Sequence, residues 1–307
     1  DFYKEPESME RWISADYPLS LIGKGAYMNT SPLVSIIIRT CGKPSVLNNA
    51  LQSVKKQTYT NIEVILVEDG ENISEHFIQE QYPDLRIRYH ATKVNQGRSA
   101  AGNIGLSMAE GKYCNFLDED DILLSTHVET LVNILETAEF KAAYTVAEEN
   151  QIVIKSSSPY RFAVKRKLIR YRFPFNRLLL CYMNLFPIQS VMFERTLYEE
   201  YGGFDEGLDV LEDWDLWLRF ALNYSFQFVD KVTSVYYTPY KNKKKLCRDL
   251  ALREAEHMVM EKHRNYQYAA NALQINRDMD YILNQFNQKK AVFIMKKIRN
   301  FLLYRDR

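Results

Sequence analysis

Four short apolar runs, each closed by polar residues and joined by helix-like spacing, constrain the fold of this chain most. Residues 33–38 form a β-branched run that breaks at Arg39, Thr40, Cys41, Gly42, Lys43 and Pro44. Leu47, Ala50, Leu51 and Val54 then recur at the i, i+3, i+4, i+7 spacing of an amphipathic helix. Residues 62–67 end at Glu68, Asp69 and Gly70, and residues 85–89 precede Asn95, Gln96, Gly97 and Arg98. Residues 99–109 read as a helix rich in small side chains, suited to close packing on a sheet. The last run, residues 113–117, ends in Asp118, Glu119, Asp120 and Asp121. Continuous apolar runs alternating with amphipathic helices specify parallel strands buried on both faces, joined by right-handed crossovers. Ligands of such sheets bind at the carboxyl ends of the strands. Thr40, Asp69 and the acidic run all fall there.

The acidic run admits two readings. If the strand continues to Asp120, its period of two turns Asp118 and Asp120 to one side. Carboxylates so placed repel each other unless a cation lies between them, and Mg2+ or Mn2+ suits such oxygen ligands when substrate phosphates complete the shell. Alternatively the run is a solvated turn, with Asp120 or Asp121 capping a helix from about Ile122. Glu119 points to the other face and has no assigned role.

Composition narrows the field. With 46% hydrophobic and 26% charged residues, the chain is ordinary globular material. A net charge of +1 argues against a nucleic-acid partner, which needs a basic excess. The four cysteines, Cys41, Cys114, Cys181 and Cys247, are too scattered for a zinc site or a disulfide framework and read as thiols of a reducing compartment. No apolar run is long enough to span a bilayer. Because the first residue is Asp1, origin within a longer protein carrying further domains is expected.

Beyond residue 123 the pattern is mixed. A helix is expected near residues 124–137, a hairpin from residues 141–147 and 151–155, a strand at 190–193, a helix from Leu211, and two strands at 226–229 and 232–237. Trp214 and Trp217 fall on an apolar helix face and read as core. Residues 161–177 are basic and aromatic; donor phosphates, an anionic or lipid-diphosphate acceptor, and plain solvent all suit them. From Leu246 onward the chain reads as helical. Its basic, amphipathic stretch at residues 292–304 suits packing on the preceding domain or on a following one, or peripheral contact with a membrane surface.

Five markers occur in order: residues 34–38 with Thr40; residues 67–70; Asn95, Gly97, Asn103 and Gly105; residues 117–121; and residues 203–206 with Glu212, Asp213, Trp217 and Arg219. Over residues 32–237 the chain thereby resembles the family 2 glycosyltransferases. The resemblance implies a GT-A fold, an α/β architecture with a Rossmann-like nucleotide-binding sheet flanked by helices. Residues 1–31 carry little periodicity and read as an arm or linker, and the implied catalytic domain covers 32–240. That domain divides into a donor half (32–123) and an acceptor half (124–240), and residues 241–307 form a helical extension. The implied reaction is metal-dependent, inverting transfer of a sugar from a nucleotide-diphosphate donor to a hydroxyl of a glycan or lipid-linked glycan. It would serve polysaccharide or glycan assembly in the cytoplasm, at the inner face of the membrane where it touches one.

The resemblance also implies roles for individual residues. Asp69 would meet the nucleotide base, with Thr40 and Arg98 on the donor. Asp118 and Asp120 would be the acids of the DxD motif, Asp118 near the donor's ribose or sugar and Asp120 on Mn2+ or Mg2+. Asp213 would be the general base, with Glu212 as its rival. Two departures stand out. Cys41 replaces the usual aromatic, and Gly102 replaces an arginine common in this family, which shifts the expected phosphate contact to Arg98. A sugar nucleotidyltransferase and a non-catalytic sugar-nucleotide-binding or scaffold domain are the alternatives. The first would carry a glycine-rich basic loop after the first strand, which residues 40–46 match poorly.

Overall fold

Strand β1 (Val34–Thr40) is buried at every position because it is central: β2 (Ile62–Glu68) and β4 (Tyr113–Asp118) pair with it in parallel on either side. β3 (Ile87–Ala91) extends the parallel set beyond β2. The computed structural model describes residues 31–157, 159–241, 243–265 and 271–303. All but the last residue of the arm expected over residues 1–31 lies outside them, and Pro32–Arg307 is the compact unit described below.

The crossovers are α1 (Pro44–Lys55), α2 (Glu75–Gln81) and α3 (Arg98–Met108). Alternation along β1 divides the core between the two faces of the sheet. Ile36 and Ile38 pack with Leu47, Leu51 and Val54 of α1, while Ile37 packs with Ala101 and Leu106 of α3. Helix α3 lies so close that a Cβ added at Gly105 would come within 2.4 Å of Ile37 Cγ2. The small residues of this helix serve that approach.

The second half continues the same sheet. Its strands are β5 (Ile122–Leu123), β6 (Ala142–Ser157), β7 (Tyr160–Ile169), β8 (Val191–Glu194) and β9 (Phe226–Pro239). Among the described residues the nine strands run β3-β2-β1-β4-β8-β6-β9-β5, with β7 paired to β6. The helices are α4 (His127–Thr137), α5 (Arg177–Leu180), α6 (Arg195–Tyr201), α7 (Glu212–Phe220), α8 (Lys243–Lys262), α9 (Ala272–Gln285) and α10 (Gln288–Leu303).

Several expectations need correction. β4 stops at Asp118 and Glu119–Asp120 form a turn, so strand periodicity does not align Asp118 with Asp120. No helix begins at Ile122: residues 122–123 pair with Val235 and Ser234 of β9, and α4 begins only at His127. Asp121 is therefore no helix cap; its Oδ1 accepts the Tyr237 N–H at 3.3 Å. The hairpin read within residues 141–155 is a single strand, β6, and its partner β7 comes from the basic stretch. The two strands expected at 226–237 are likewise one. Thr145 pairs with Val229 and Val146 with Val232, so Asp230 and Lys231 bulge out of an unbroken β9. Much of the basic stretch is neutralised locally, Lys167 by Glu148, Arg170 by Glu149 and Arg172 by Asp230.

Trp214 and Trp217 are buried, as expected of core residues. Helix α10 turns Ala291, Ile294 and Ile298 inward, and Ile294 and Ile298 join the core cluster that holds Trp217. Packing on the preceding domain is thus the observed use of its apolar face. Among the described residues no helix is long and apolar enough to cross a membrane.

Candidate active site

The carboxyl ends of β1 and β4, the start of α7 and the first turns of α8 enclose a cleft of about 590 Å³. Arg39, Arg98, Asp118, Asp120, Asp121, Glu212, Asp213, Asn184, Tyr237 and Arg248 all contribute to its lining. The sheet thus gathers Arg98, Asp118, Asp120, Glu212 and Asp213, which the sequence assigned to one site. Thr40 and Asp69 are not among the cleft's lining residues.

Their positions follow from their hydrogen bonds. Asp69 is buried, and its carboxylate accepts the backbone N–H groups of Gln96 at 2.7 Å and Gly97 at 2.9 Å. It thereby holds the loop that starts α3. The Thr40 hydroxyl donates to Glu119 Oε2 at 2.5 Å, and Lys43 Nζ lies 2.9 Å from Glu119 Oε1. Glu119, given no role from sequence, fastens the acid turn to the end of β1.

At the centre lies Arg39. Its Nε and Nη2 donate to Asp118 Oδ1 at 2.9 and 2.6 Å, and its Nη1 donates to Glu212 Oε1 at 2.8 Å. Burial alone would lower its pKa, but Asp118 and Glu212 more than reverse this and keep it charged. Burial likewise pushes Asp118 up, and Arg39 followed by Arg98 outweighs it, so Asp118 stays ionised. Asp120 fares differently. Burial, then Asp118 and Glu119, push it up to about 6, and it forms no ion pair among the described residues.

Asp213 sits at the second position of α7. Its Oδ2 accepts from Asn184 Nδ2 at 3.0 Å and its Oδ1 from the Trp214 N–H at 2.8 Å. Burial, followed by the Glu212 charge, pushes it up to about 7. Its neighbour Glu212 pairs with Arg39 and lies 3.7 Å from Arg98 Nη1. Burial and a neighbouring charge thus bring Asp213 toward neutral pH, where a carboxyl can exchange its proton.

Sequence reasoning missed Arg39, Asn184 and Arg248. Only Arg39 left a signal, a charged residue at the end of a run otherwise apolar and buried. Arg248 comes from α8, and its charge reaches Asp118 and Asp121.

The family model described as "Glycosyl transferase family 2" matches residues 35–202. The uncharacterized glycosyltransferase YwdF of Bacillus subtilis (strain 168) is 31% identical over 205 residues, covering 66% of this chain and 73% of the relative. An uncharacterized glycosyltransferase of Rickettsia prowazekii (strain Madrid E) is 33% identical over 214 residues, covering 67% of this chain but 61% of the relative. The chain thus spans about three-fifths of that relative's length.

Among solved structures, S. aureus TarS 1-349 in complex with UDP-GlcNAc superposes with a TM-score of 0.62 at 16% identity, over 88% of this chain and 81% of that one. Mannosyltransferase PcManGT from Pyrobaculum calidifontis, in complex with GDP-Man and Mn2+, gives a TM-score of 0.61 at 16% identity, over 88% and 74%. At such identity these two show the fold, which is the GT-A type. On the extent of the family match and the identity to the Bacillus protein, this chain belongs to glycosyl transferase family 2.

Proposed function

We propose that this glycosyltransferase moves a sugar from a nucleotide diphosphate to a hydroxyl of a glycan acceptor, with inversion and with Asp213 as the general base. The observation that carries the reading is the position of Asp213. It lines the same cleft as the acid motif, is oriented by Asn184, and is raised to about 7.

The residues fit a divalent cation. Asp120 forms no ion pair and Asp118 Oδ2 accepts no hydrogen bond among the described residues, while burial and the charges of Asp118 and Glu119 outweigh that of Arg98 at Asp120. No group of three acidic, His or Cys side chains that could hold a metal occurs among them either. That suits an ion that takes one or two carboxylates and completes its shell with substrate phosphates. Asp120, with Asp118, would hold Mn2+ or Mg2+, which when bound supplies Lewis-acid stabilisation of the departing diphosphate.

The protein's own residues do the rest. Arg98 and Arg248 bring positive charge to the donor side of the cleft. Asp213 takes the proton of the acceptor hydroxyl as that oxygen bonds the anomeric carbon and the bond to the diphosphate oxygen breaks. Attack opposite the leaving group inverts the centre, and proton removal is worth roughly 10²–10⁴-fold in rate. The nucleotide sugars bound by the two structural relatives support this donor class.

The test is a panel of UDP- and GDP-sugars, read as thermal stabilisation with and without Mn2+ and as release of nucleoside diphosphate. A donor at 100 times its Kd should stabilise the chain by about 2.7 kcal/mol, and only with the cation. Asp213→Asn should keep that shift and lose turnover. Turnover at the parental rate in that variant would remove the base assignment, and a panel without any binder would remove the donor assignment.

A further inference from the structure

Arg39 lies 79 positions from Asp118 and 173 from Glu212, and it bonds both. The guanidinium is seated rather than merely paired. Its carbon lies 5.6 Å from the ring centres of both Phe116 and Phe204. Gly102 leaves the room for this: a Cβ there would come within 2.5 Å of the Phe204 ring and 3.6 Å of Arg39 Cδ. A further bond, Arg39 Nη1 to the Arg98 carbonyl at 3.4 Å, reaches the first residue of α3. One buried planar cation thus touches three elements that bound the cleft.

A second observation points the same way. Leu211, immediately before Glu212, has φ 62° and ψ 19°. A leucine takes that left-handed conformation only where its surroundings hold it. The residue next to it is gripped by Arg39, and the one after is Asp213.

We propose that Arg39 is a positioning residue: through Glu212 it holds the left-handed turn that presents Asp213, and through Asp118 it fixes that turn against the donor side of the cleft. This rests on the reading of Asp213 as base. It also gives Glu212 a task, that of anchoring the clamp, distinct from proton transfer. Lysine cannot replace the guanidinium, because a single ammonium lacks the rigid fork that reaches two carboxylates at once.

The experiment compares Arg39→Met, Arg39→Lys, Glu212→Gln and the Arg39→Met/Glu212→Gln pair. Each is assayed for hydrolysis of the UDP- or GDP-sugar that the parent turns over best, for affinity toward the matching nucleoside diphosphate, and for urea unfolding. Misplacing a base by about 1 Å costs on the order of 10²-fold. Glu212→Gln should therefore lose about that in kcat while its nucleotide affinity changes little. Arg39→Met added to it should lower kcat little further, and the unfolding constants should couple by about fivefold. Arg39→Lys, which keeps the charge and should fold, should also fall well below the parent in kcat.

Independent, multiplying losses in kcat with no coupling in unfolding would overturn the proposal. So would parental turnover by Arg39→Lys. If the parent hydrolyses and binds no nucleotide sugar, the base reading falls and Arg39 falls with it as a positioning residue. An active parent with an additive cycle removes the clamp alone.

Discussion

Glu212 and Asp213 are adjacent and chemically alike, yet their surroundings differ sharply. Glu212 faces Arg39 and Arg98. Asp213 has burial and the Glu212 charge against it, offset in part by neutral donors, the Trp214 N–H and Asn184, and by the more distant Arg39 charge. A base must be ionised to accept a proton, so kcat should fall as pH drops below about 7, the value to which Asp213 is pushed. The Asn184 bond favours the charged carboxylate, so Asn184→Ala should move this acid limb to higher pH. A pH–rate profile of the two proteins checks both, and an unmoved limb would mean that another group titrates. The sequence shows the acid pair, since two carboxylates at a helix start are plain to read. Which acid takes the ion pair depends on an arginine 173 positions away, and no local pattern carries that. Glu119 went unassigned for the same reason: its partners Thr40 and Lys43 meet it only once β1 and β4 align.

Helix α7 ties Asp213 to the remainder of the fold. Two residues after Asp213, fully buried Asp215 accepts from Arg219 Nη2 at 2.9 Å and lies 2.8 Å from both Lys262 Nζ and His263 Nε2. Burial would raise Asp215, and His263, Arg219 and Lys262 together hold it well below the usual carboxylate range. A carboxylate depressed in the folded state stabilises the protein above its unfolded pKa, near 4, and loses that stabilisation as pH falls through the folded value. Asp215→Asn should accordingly cost about 3–5 kcal/mol at pH 7. The gap to the parent in urea unfolding should narrow below about pH 4. A gap that is small or independent of pH would contradict the role. At this scale β1, β2 and β4 were legible as largely apolar runs, and α1 because it keeps one period for its whole length. β5, two residues long, has no period to show and exists because β9 offers it a partner. β9 was split in two because Asp230 and Lys231 interrupt its apolar pattern where the strand merely bulges.

The family match ends at residue 202, but the hydrophobic core does not. Val259, Ile282, Ile294 and Ile298 of the C-terminal helices belong to the same buried cluster as Ile37, Phe116 and Trp217, and α8 supplies Cys247, Arg248, Ala251 and Leu252 to the cleft. The sequence announced helices with apolar faces; it could not say what those faces cover, because an amphipathic period names a buried side and no partner. Each such side chain is worth roughly 1.5–3 kcal/mol when buried, so the set is comparable with the ~5–15 kcal/mol that holds a whole domain folded. Removing residues 241–307 should therefore leave residues 1–240 without a cooperative thermal transition and with exposed apolar surface that binds a hydrophobic dye. Nucleotide-sugar turnover should vanish as well, since one wall of the cleft leaves with α8. A shortened chain that melts sharply within a few degrees of the full one would show instead that the helices are an appendage to a self-sufficient domain.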